Sequence, residues 1–66
     1  MTTDQIFVAA RKYLGGAMES SARLCLADAI RLFDEEDRVA ARQRAIDSLR
    51  YSVGILHPIY RAAVGV

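Results

Sequence analysis

The chain has 66 residues and a mass of 7.3 kDa, is 53% hydrophobic and 26% charged, and carries a net charge of +1. That length admits one domain and excludes multidomain enzymes, α/β barrels and kinases. A chain this short buries only about 60% of the surface that its unfolded form exposes, so folding alone is marginal, and small scaffolds usually add a disulfide, a metal or another subunit.

Cys25 is the only cysteine and His57 the only histidine. No internal disulfide can form, and a structural zinc site, with its four N or S ligands, is not expected. Cys25 lies among apolar residues, where a free thiol behaves as a small core hydrophobe. No apolar run approaches the length of a membrane span. The opening Met-Thr-Thr-Asp-Gln carries an acid where a signal peptide carries bases, so a cytoplasmic setting is expected. Charge is uneven along the chain: +1 over residues 1–33, −4 over 34–37 and +4 over 38–66.

The first predicted helix covers residues 4–14, with Thr3 as its capping hydroxyl. At 100° per residue, Ile6, Phe7, Ala10, Tyr13 and Leu14 share one arc, while Val8, Arg11 and Lys12 fall outside it. Gly15-Gly16 ends the helix. The second helix, residues 17–33, buries a stripe of Met18, Ala22, Cys25, Leu26, Ala29, Leu32 and Phe33, which Ile30 widens. Leu24 points away from that stripe.

Asp34-Glu35-Glu36-Asp37 reads as a turn whose acids cap the third helix and favour its positive end. The third helix, residues 37–53, has Val39, Ala41, Ala45, Ile46, Leu49 and Val53 on its apolar side, and Arg42 must lay its stem along that side to reach water. Ala41, Ala45, Ser48 and Ser52 form a ridge of small side chains that lets a neighbouring helix approach closely. Gly54 and the restricted residue before Pro58 break the helix, and Pro58 opens a fourth, residues 58–64. The fold class expected is all-α. It is a single domain over residues 1–66, a small three-helix bundle built around an antiparallel hairpin, with a short C-terminal fourth helix.

No phosphate-binding glycine loop, HExxH, CxxC or GxSxG motif is present. Six residues separate Arg50 from His57, which fall on one polar line with Asp47 if the third helix continues. That spacing resembles the Arg-x(4–6)-His motif of the HEPN family of helical ribonucleases. The resemblance implies a dimer whose paired Arg50 and His57 act on an RNA phosphodiester. The sequence departs from it in length, in having Tyr51 after the arginine, and in having Pro58 after the histidine. The hairpin also resembles a single tetratricopeptide unit, with Ala29, Ala41 and Ser48 at matching offsets. Asp28 stands where that repeat has Leu, so the likeness reads as the shared geometry of tight helical hairpins.

The expected function is therefore non-catalytic. Leu24, Tyr51, Ile55, Ile59 and Tyr60 are apolar surplus beyond what three short helices bury, and they point to a protein partner, a homodimer first. The alternative is nucleic-acid binding through Arg38, Arg44, Arg50 and Arg61. No cofactor, metal or small-molecule substrate is expected.

Overall fold

A computed structural model describes residues 1–66 and contains four helices, α1 (Thr3–Lys12), α2 (Glu19–Asp34), α3 (Arg38–Val53) and α4 (Pro58–Val64), with no strand. The class is all-α. An antiparallel α2–α3 hairpin forms the most extensive helix pair, α1 lies across α3, and α4 packs back onto α3.

Each boundary has a local cause. Thr2, not Thr3, caps α1: its Oγ1 accepts the Gln5 N–H at 3.1 Å, and the Gln5 side-chain carbonyl accepts the Thr2 N–H at 2.8 Å. This reciprocal box needs Glu or Gln three residues after the cap, and only Thr2 has one. Thr3 is left to accept from the Arg42 guanidinium at 3.4 Å, while Arg42 also donates to the Met1 carbonyl at 3.0 Å. The Arg42 stem thus reaches its polar partners at the start of α1. The helix ends at Lys12, two residues earlier than the apolar arc suggests, and leaves Tyr13 and Leu14 half-buried against the core.

α2 begins at Glu19, two residues late, after Gly16 at φ +82°, and its cap residue Met18 makes no side-chain hydrogen bond. Its far end closes as a Schellman turn: Glu36 N–H donates to the Phe33 carbonyl and Asp37 N–H to the Leu32 carbonyl, both at 3.0 Å. Glu36 takes φ +64°, the position glycine usually fills. The acidic run is therefore divided between two helix ends. Asp37 caps α3 by accepting the Ala40 N–H at 3.2 Å, as expected of a helix start. Asp34 is the last residue of α2 and Glu35 its cap, so these two stand at a negative helix end instead of a positive one. Glu35 is compensated there by Arg31 at 2.7 Å.

The core joins Ile6, Phe7 and Ala10 of α1 to Leu26 and Ala29 of α2, Ala41, Ala45, Ile46 and Leu49 of α3, and Ala63 of α4. Phe7 meets Phe33 edge to face at 5.6 Å between ring centroids, which ties α1 to α2. The small ridge of α3 works as its sequence suggests. Ser48 is fully buried, and its hydroxyl donates to the Ala22 carbonyl at 2.8 Å. Three expected core residues are on the surface. Val39 is 85% exposed, Met18 50% and Ile30 39%. Cys25 is half-buried at the edge of the hairpin and is not part of the core.

Candidate functional site

The partner residues expected from sequence do not form one surface. Tyr51 and Ile55 share a groove with Ala17, Met18, Val53 and Gly54, in which Arg50 is the only charged residue. Leu24 is 72% exposed on α2 and lines no groove. Ile59 and Tyr60 pack, half-buried, against the core from α4, and Ile59 also lines a second groove along α1. The α4 return explains this placement: Gly54 at φ +87° turns the chain, and Pro58 restarts it so that Ala63 becomes buried.

Sequence reasoning missed α1 as a surface. Asp4, Val8, Arg11 and Lys12 fall outside the apolar arc and are all exposed. They form a ridge with a groove on each side. One groove, of about 310 Å³, lies between α1 and α2 and is lined by Phe7, Ile30 and Phe33 with Asp34 at its rim. The other, of about 320 Å³, lies towards α4 and is lined by Ala9, Tyr13 and Ile59. Val8 was legible as exposed, but its flanking grooves depend on how α2 and α4 pack, which no helical wheel contains.

The candidate nucleic-acid arginines are dispersed. Arg44 is held by Asp28 and Asp47, each at 3.2 Å. Arg38 stacks over the Phe33 ring at 4.8 Å, and Arg50 lies 6.0 Å from the Tyr51 centroid. Arg61 is exposed on α4. A guanidinium tied to carboxylates offers less free charge to a phosphate chain than one standing alone.

Arg50 and His57 occupy different elements, because α3 ends at Val53 and His57 is the cap of α4. His57 Nδ1 accepts the Ile59 N–H at 3.0 Å, and its ring sits edge to face with Tyr13 at 5.6 Å. The continuous polar line on one helix is not formed.

Two groups are electrostatically perturbed. Partial burial pushes the Cys25 thiol up, and the carboxylates of Asp47 and Asp28 push it the same way against the lowering effect of Arg44. That setting suppresses the thiolate needed for nucleophilic chemistry. Arg31 donates hydrogen bonds to the Asp28 and Glu35 carboxylates, which hold it still more firmly in its cationic form. No group of three or more His, Cys, Asp or Glu side chains converges on one point, and no helix is long and apolar enough to cross a membrane. Comparison of the chain with protein-family models, with curated proteins and with solved structures gives no match.

Proposed function

We propose that the protein is a small, non-catalytic helical module that acts by associating with protein, and first with a second copy of itself. One observation carries this reading. The buried hydrophobic residues comprise seven alanines and only five larger side chains, Ile6, Phe7, Leu26, Ile46 and Leu49, whereas eleven large hydrophobic residues are exposed. Tight alanine packing lets α2 and α3 approach closely but supplies little apolar burial per residue. A second subunit that covers part of the exposed set supplies what the core lacks, since obligate dimer interfaces resemble a domain core cut in half.

The dispersal of the arginines favours this reading over nucleic-acid binding. Arg44 is engaged with acids, and Arg38, Arg44 and Arg50, six residues apart in turn, fall on three different sides of α3. Sedimentation equilibrium at micromolar concentration tests the proposal. The expected result is a concentration-dependent dimer whose thermal midpoint rises with protein concentration. A monomer with a cooperative transition independent of concentration overturns it.

A further inference from the structure

We propose that two copies associate through α1, whose exposed ridge is self-complementary in charge about a two-fold axis at Val8; this rests on the self-association reading and names the surface. Val8 is 61% exposed at the middle of the ridge. Asp4 lies four residues before it and Arg11 three residues after it, all within one narrow stripe of the helix. Their offsets along the axis are about 6 Å and about 4.5 Å. An antiparallel copy centred on Val8 therefore brings each Asp4 to the partner's Arg11, twice per dimer. A two-fold interface demands this kind of self-complementarity.

Three further observations fit. Asp4, Arg11 and Lys12 form no ion pair within their own chain; Arg11 lies 5.9 Å from the Phe7 ring centroid and Lys12 5.5 Å from that of Tyr13, and all three are exposed. The row Asp4–Val8–Lys12 is spaced by four residues and has a groove on each side, the surface that a ridge of the same spacing on another helix fills at about 50°. The floors of those grooves are apolar, with Phe7 and Phe33 on one side and Ile59 on the other. The competing groove at Tyr51 and Ile55 carries Arg50 as its only charge, so a two-fold there sets arginine near arginine with no acid between.

The test uses charge reversal in the full chain, with helicity checked by circular dichroism. Arg11→Glu and Asp4→Arg are each expected to weaken self-association by about tenfold or more, because two attractive contacts become two repulsive ones. Mixing the two variants is expected to restore dimerisation as a heterodimer. In that heterodimer Glu at 11 faces Arg at 4, and the native pair forms at the other end. Wild-type protein that is monomeric overturns both the self-association reading and this seam. Wild-type dimers that tolerate both reversals overturn the seam and leave self-association standing. Reversals that weaken the dimer without rescue on mixing also overturn it, because the loss then arises from folding and not from pairing.

Discussion

The Ser48 hydroxyl donates a 2.8 Å hydrogen bond to the Ala22 carbonyl from a position with no solvent exposure. The bond bridges α3 to α2, 26 residues away in sequence. Its presence requires small side chains around it, and Ala22 and Ala45 are both fully buried. Ser48→Ala removes one buried bond and is expected to cost about 1 kcal/mol. Ser48→Leu inserts volume where the helices already touch and is expected to cost about 3 kcal/mol or more. Urea unfolding measures both. A leucine variant as stable as the alanine variant contradicts close packing at this ridge.

How much of this was readable beforehand follows from what a helical wheel contains. It gives the angle of a residue and not how far the neighbouring helix extends. The ridge of Ala41, Ala45 and Ser48 was readable because small side chains at helical spacing are visible in the sequence itself, and all three are buried. Val39 lies at the outer edge of the apolar arc of α3, about 20° outside Ile46 at 100° per residue, and is exposed. The corner at His57-Pro58 was readable because proline chemistry is local. The α1 grooves were not, since α2 and α4 build their outer walls.

Gly16 gives a second test of the close approach. It has φ +82°, and a Cβ built on it lies 2.9 Å from the Ser52 carbonyl oxygen. That neighbour is backbone and cannot rotate away. Gly54 has a similar φ of +87° but open space around its Cβ position. Gly54→Ala is therefore expected to cost only the conformational strain, on the order of 1–3 kcal/mol. Gly16→Ala adds a displacement of the hairpin and should cost more than Gly54→Ala in the same urea titration.

Glu36 presents the opposite case. It holds φ +64° at the position where a Schellman turn prefers glycine. Its side chain is exposed and takes part in no ion pair. Glu36→Gly is expected to stabilise the protein by up to about 1 kcal/mol, since relief of strain exceeds the added freedom of the unfolded chain. A lower thermal midpoint for this variant refutes the assignment.

His57 connects α4 to the rest of the bundle. Its Nδ1 accepts the Ile59 N–H, and its ring packs on Tyr13. His57→Ala removes a cap and an aromatic contact, with an expected loss of about 1–2 kcal/mol. His57→Asn keeps an acceptor at the cap and loses only the ring contact, so it should recover roughly half. Faster amide exchange confined to residues 59–63 in the alanine variant identifies the loss as local to α4.

The raised Cys25 thiol carries a pH dependence whose sign is fixed. Burial, with Asp47 and Asp28 beside it, keeps the proton on the folded chain at pH values where the unfolded chain releases it. Below the ordinary thiol value of 9.0 both forms are protonated, and the group contributes no slope. Above it the unfolded state binds fewer protons than the native one, so stability falls as pH rises towards the raised native value. The measurement is a difference between wild type and Cys25→Ala, in which every contribution common to the two proteins cancels. Unfolding free energies from urea at pH 7 and pH 10 should converge for the pair as pH rises, because the variant lacks this alkaline loss. The same thiol should react with iodoacetamide at pH 8 more slowly than an unhindered cysteine peptide does. Labelling as fast as the peptide removes the basis for the slope.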